Sequence, residues 1–181
     1  WELHVENICK KISTAAGAIS RCRTFLPTQI KIQLYHALFA SHINYCNLVW
    51  GTTTGTNKQK ILTVQKRIIR YIGNQPYRSH TAHLFATYKI IPVTSLYDFR
   101  ILRTFYFSNG PFHDFVIATA SLQRHERIVS TRSTDKWYIP RFRTYYKHQS
   151  IKHNLPSLLN MYIFPAKPAI NQLRQRFLNT L

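Results

Sequence analysis

Apolar residues recur through the first segment at Val5, Ile8, Ile12, Ala15, Ala16 and Ile19, the three- and four-residue spacing of one helix face. Trp1 and Leu3 also read as core-facing, so the start is expected to be a cut inside a longer polypeptide. Phe25-Leu26-Pro27 ends this helix, and Thr28 is expected to cap a second one. Along TQIKIQLYHALFASHINYCNLVW the positions Leu34, Tyr35, Leu38, Phe39, Ile43, Cys46, Val49 and Trp50 cover most of the circumference. That predicts one long helix, central in a bundle and stopped by Gly51. A Thr- and Gly-rich turn then leads to a third helix over 56–72, with a narrower stripe at Ile61, Leu62, Ile68, Ile69 and Ile72. Gly73, Asn74 and Pro76 terminate it.

Shorter helices are predicted over 79–89 and 93–108, the second carrying Leu96, Phe99, Leu102, Phe105 and Tyr106 on one side. Asn109-Gly110-Pro111 is a candidate boundary between a helical bundle, 1–109, and an appendage, 110–181. Beyond it FHDFVIATA fits either a helix or a buried strand. The β-branched and aromatic residues of RIVSTRS, KWYIPRFRTYY and HQSI predict short extended pieces, with Pro140 at an edge or in a loop. A last helix over 168–181 places Ile170, Leu173, Phe177, Leu178 and Leu181 together. The fold class is therefore mainly α: a helical bundle, a small irregular β-containing tail and a terminal helix.

Composition adds a partner class. Lys and Arg number 25 against 6 Asp and Glu, a formal charge of +19, while 45% of the residues are apolar and 14% aromatic. A chain this apolar can build a core, and an unbalanced positive charge of this size points to a polyanion, nucleic acid first. No apolar run reaches membrane-spanning length, because His36, His42, Asn44 and Asn47 interrupt the best one, and no signal-peptide pattern occurs. The expectation is an intracellular chain, cytoplasmic or nuclear, with no membrane partner. Cys9, Cys22 and Cys46 are too few and too scattered for a disulfide framework. Cys9 and Cys22 read as small core hydrophobes, and Cys46 as a buried residue of the central helix.

Polymerases and metal-dependent nucleases hold cations between clustered carboxylates. Here the acids are Glu2, Glu6, Asp98, Asp114, Glu126 and Asp135, and only the first two are close in sequence. No G-x-S-x-G, phosphate loop or Gly-rich nucleotide fingerprint occurs. His42 with Cys46, and His80 with His83, have helical ligand spacing, yet no C-x-x-C completes a zinc site. The chain is expected to be no enzyme by itself and to hold no catalytic residue, metal or cofactor.

Cations dominate the third helix instead. Lys66 and Arg70 are one turn apart, Arg67 lies beside them, and Lys58 and Lys60 extend the charge toward the amino end. Gln59, Thr63 and Gln65 stand where an ordinary solvated helix would carry balancing acids. These five, with Arg78, are candidate phosphate contacts. A second basic, aromatic cluster is DKWYIPRFRTYYKH. There Arg141, Arg143 and Lys147 can meet phosphates and Trp137, Tyr138, Phe142, Tyr145 and Tyr146 can stack on bases, or the aromatics can fill the core of a small sheet.

The order of these residues resembles the segment following the palm in reverse transcriptases of jockey-like non-LTR retrotransposons. The likeness is carried by Leu26-Pro27, Leu34-Tyr35 and Leu38, Tyr45-Cys46, Val49-Trp50-Gly51, Leu62, Gln65-Lys66-Arg67, Arg70-Tyr71-Ile72, Tyr77-Arg78 and His80-Thr81, over about half the chain. Thr131-Arg132, Arg143-Thr144 and Ser150-Ile151 are similar to the tail of that family. Its Gly-Pro and Trp between Ser150-Ile151 and Leu155-Pro156 are missing, and 111–127 has no match. The resemblance implies a helical thumb with a carboxy-terminal appendage, detached from fingers and palm. It implies RNA, DNA or an RNA–DNA hybrid as partner, alongside the missing fingers and palm. The parent polymerase would take its divalent metal on palm aspartates upstream of Trp1. The alternative is a transposon-derived structural remnant that binds nothing.

Overall fold

The computed structural model describes residues 1–124, 136–164 and 167–178. Helix α1, Glu2–Arg21, buries Val5, Ile8, Ile12, Ala15, Ala16 and Ile19, the face its spacing predicts. Trp1 and Leu3 are 58% and 72% exposed, which corrects their assignment to the core. Leu3 lies roughly 200° round the helix from Val5, and Trp1 precedes the first helical turn.

The long second helix is not continuous. Helix α2, Thr28–Leu34, has Pro27 as its N-cap, so Thr28 is the first helical residue rather than the cap. A π-helical turn follows over Tyr35–Ala40, then α3, Ser41–Asn44. Lys31, Tyr35, Phe39, Ile43 and Asn47 are buried in a four-residue repeat, with Ala40 beside Phe39. On an ideal α-helix such a repeat drifts by roughly 40° per step, and the wider π turn takes up that drift. The Tyr35 and Phe39 rings stack at 5.0 Å. The chain then reverses at Tyr45, which is extended, and Cys46, which is left-handed with φ 46°, before α4, Asn47–Trp50. The reversal buries Trp50, whose indole Nε1 donates to the Tyr45 carbonyl at 2.7 Å. Leu38, Cys46 and Val49 are exposed, against expectation. Gly51 is required here: a Cβ would collide with the Asn47 carbonyl and stand 2.9 Å from the Tyr97 ring.

Helix α5, Gly55–Ile72, buries Ile61, Leu62, Ile68, Ile69 and Ile72 as its stripe predicts, and packs along α1. Thr54 caps it, its hydroxyl accepting from the Asn57 amide at 3.4 Å. Gln65 is buried in the same face. Its Nε2 donates to the Tyr35 hydroxyl at 2.9 Å and to the Ile91 carbonyl at 3.1 Å, and its Oε1 accepts from the Val93 amide at 2.9 Å. One side chain thus fastens the π turn and the 91–93 segment to α5. Helix α6 is Ala82–Thr87 and α7 is Val93–Phe107.

The chain divides into two compact units, Trp1–Tyr97 with the chain from Arg174, and Asp98–Leu173, so the division falls inside α7. In the second unit α8, Pro111–Ala120, packs against α10, Ile151–Met161; α9, Tyr145–His148, is a single turn. FHDFVIATA is therefore helix. Helix α11, Ile170–Leu178, buries Leu173, Phe177 and Leu178, while Ile170 is exposed.

The β-containing tail is corrected: among the described residues there is no strand, only an isolated antiparallel bridge between Arg124 and Trp137. RIVSTRS lies outside the described residues. In KWYIPRFRTYY the backbone finds a side chain where a strand would find a neighbour. Asn160 Oδ1 accepts from the Lys136 and Trp137 amides at 3.1 and 3.0 Å, and its Nδ2 donates to the Trp137 carbonyl at 2.8 Å. HQSI is the entry to α10, with Ser150 at its N-cap, and Pro156 is buried inside that helix.

Replacing Gln65 by Leu strands two buried polar groups, the Tyr35 hydroxyl and the Val93 amide, and the part-buried Ile91 carbonyl, each buried one costing about 1–3 kcal/mol. Urea unfolding should register a loss of about 3 kcal/mol or more; a change within about 0.5 kcal/mol would show that those groups re-pair. Burial raises the Tyr35 phenol well above its ordinary range, the Gln65 hydrogen bond opposing this weakly. The native state thus keeps a proton that the unfolded state releases above about pH 10. Relative to Tyr35→Phe, the wild type should lose stability at up to about 1.4 kcal/mol per pH unit above that value. Parallel stability–pH curves for the two proteins would contradict it.

Candidate nucleic-acid interface

The carboxyl ends of α1 and α5 come together: Arg23 stands over the Tyr71 ring, and Ser20 lines the same cleft as Arg67 and Arg70. Past α1, Cys22 is the C-cap and the Arg23 amide donates to the Ser20 carbonyl, which turns Arg23 back toward α5. Past α5, Gly73 is the C-cap and Asn74 takes the left-handed conformation, φ 52°. Between these two turns lies a cleft of about 390 Å³ lined by Ser20 and Arg23 from one side and Arg67, Arg70 and Tyr71 from the other. Gln75 and Tyr77 complete its wall.

Aromatic faces hold two of the three guanidinium groups. Arg23 stands over the Tyr71 ring at 5.8 Å and Arg70 over the Tyr77 ring at 6.0 Å. Arg70 Nε also donates to the Ser79 carbonyl at 2.8 Å, which fixes the plane of its guanidinium and keeps both terminal nitrogens for a ligand. Among the described residues Arg23, Arg67 and Arg70 have no carboxylate partner.

Behind the cleft sits Lys31, buried on α2. Its Nζ donates to the Arg23 carbonyl and to Asn74 Oδ1, both at 3.0 Å, so a single ammonium ties the two turns together. Burial lowers its pKa.

The sequence-derived candidates separate. Arg67 and Arg70 share the cleft. Lys66, one residue and roughly 100° round the helix from Arg67, is half-buried and outside the lining. Lys58 faces the other way, its ammonium 5.9 Å from the Tyr97 ring centre. Lys60 lies on the α1 side, close enough to Cys9 to pull the thiol pKa down, although burial, the larger effect, raises it. Arg78 is exposed just beyond Tyr77. Arg141 and Arg143 are exposed in the second compact unit, with Tyr145 and Tyr146 also exposed at 75% and 83%.

Arg23, Lys31 and Gln75 were not singled out by sequence. Arg21-Cys22-Arg23 at a helix end was the available signal for the first; nothing local marks a buried lysine. Cys22 and Cys46 are exposed, which corrects their assignment to the core, whereas Cys9 is half-buried and packs against it. The described residues contain no group of three His, Cys, Asp or Glu that would hold a metal ion. None of their helices is long and apolar enough to cross a membrane. Comparisons with protein-family models, curated proteins and solved structures gave no match.

Lys31→Met removes the one donor shared by the Arg23 carbonyl and Asn74. It should destabilise the protein by about 1–3 kcal/mol in urea unfolding and broaden the amide signals of 22–24 and 73–75 in NMR spectra. Unaltered signals in both segments would show that the tie is dispensable.

Proposed function

We propose that the chain binds nucleic acid through phosphate contacts, without sequence preference and without chemistry of its own. It would act as a helical thumb holds template and primer in a non-LTR retrotransposon reverse transcriptase. The observation that carries this reading is the meeting of Arg23, Arg67 and Arg70 in one cleft with no carboxylate partner among the described residues. Like charges held together cost stability, and a phosphate backbone is the ligand that reverses the sign of that term. Guanidinium forks match phosphate oxygens two at a time, and the tyrosines beside them offer faces for stacking. The side chains positioned here contact backbone and sugar rather than base edges, which is how a duplex is held without being read. The formal charge of +19 supplies long-range attraction.

Binding to an RNA–DNA hybrid, followed by fluorescence anisotropy, should weaken with salt at a log–log slope of about −4 to −5 if about four to six phosphates are engaged. The double change Arg23→Glu, Arg67→Glu should cost roughly tenfold or more and flatten the slope by about 2, with helical circular dichroism retained. Full affinity in that variant, or a loss confined to Arg141→Glu, Arg143→Glu, would move the interface off this cleft. No salt-dependent binding at all would leave a chain whose helices only pack.

A further inference from the structure

The cleft is a pocket rather than a track, and this sharpens the ligand. Its volume, about 390 Å³, suits one nucleotide and not a duplex. Its walls come from two helix ends, with Arg23 lining it from one and Arg67 and Arg70 from the other. Only one N–H of Arg70, its Nε, is committed within the protein, to the Ser79 carbonyl. Tyr77, 71% exposed at the rim, presents a ring to a neighbouring base. An internal phosphodiester brings one negative charge and two unesterified oxygens to such a site. A terminal monoester brings a charge of about −1.5 to −2 and three acceptor oxygens.

We propose that the cleft of Arg23, Arg67 and Arg70 captures the terminal phosphate monoester of a nucleic-acid strand, its end nucleotide lying against Tyr77. The assignment rests on the nucleic-acid reading above and specifies which part of the strand the cleft holds. Arg23 and Arg67 supply charge and bidentate donors from opposite walls. Arg70, immobilised through Nε, presents its terminal nitrogens at low entropic cost. Lys31 is a positioning residue: it never meets the ligand, but it holds the turn that carries Arg23.

The test compares two single strands of one sequence, labelled at the 3′ end and differing only in a 5′-phosphate or 5′-hydroxyl, bound to the full chain. At pH 7.5 the phosphorylated strand should bind about tenfold more tightly, the effect of one further charge facing three guanidinium groups. The ratio should shrink toward one at pH 5, below the second phosphate pKa of about 6, and should also shrink in Arg23→Gln. A 3′-phosphate placed on an unlabelled competitor strand reports whether either end serves, and enhanced competition from it also supports the proposal. Equal affinity for phosphorylated and hydroxyl strands, with binding retained, overturns the proposal and leaves the broader reading standing. Absence of binding by any strand overturns both. Adenosine monophosphate displacing the phosphorylated strand at concentrations equal to that strand's own Kd would overturn assignment to a strand end, because a free nucleotide would then be the ligand.

Discussion

Helix α1 lying along α5 is the contact on which the cleft depends. Val5, Ile8, Ile12 and Ile19 of one helix and Ile61, Ile68 and Ile72 of the other belong to the same buried core, and burying each such side chain contributes about 1.5–3 kcal/mol. This sets the register in which the two carboxyl ends finish side by side. Arg23 and Arg67 are 44 positions apart in the chain (67 − 23) and meet only because that register holds. Helix carboxyl ends carry partial negative charge, so basic residues gather there at little cost, and two such ends brought together concentrate them.

Two polar groups refine what apolar packing leaves loose. Gln65 satisfies the Tyr35 hydroxyl, the Ile91 carbonyl and the Val93 amide from inside the core, and so specifies where the π turn and the 91–93 segment sit. Lys31 does the same at the edge of the core, between the turn after α1 and the turn after α5. Apolar contacts are non-directional and would tolerate a small slide of one helix on the other. A buried hydrogen-bonding group does not tolerate it, because an unmade bond costs more than the made bond returns.

Charge is arranged by the same logic. The cations of α5 do not form one face, since helical geometry sends Lys58 toward Tyr97, Lys60 toward α1 and Arg70 toward Ser79. What α5 contributes to the cleft is its last turns, where Arg67, Arg70 and Tyr71 are joined by Arg23 from elsewhere.

Sequence alone determined α1, α5 and α7, because their apolar repeats and end signals are local and tertiary packing reinforces them. It also determined the excess of positive charge, and it marked Arg67 and Arg70. Where the local signal conflicted with long-range contacts, tertiary structure decided. The left-handed turn at Cys46 breaks a helix that its own periodicity would continue, and Trp50 beyond it is buried. The 136–143 segment has the composition of a strand, but Asn160, more than 20 residues away, takes the backbone bonds of Lys136 and Trp137 that a second strand would have made. Arg23 and Lys31 drew no notice in the linear chain for the same reason: a guanidinium on an exposed turn and a lysine in a short helix acquire their roles only from neighbours that packing brings, and spacing along a sequence reports distances within an element, not between elements.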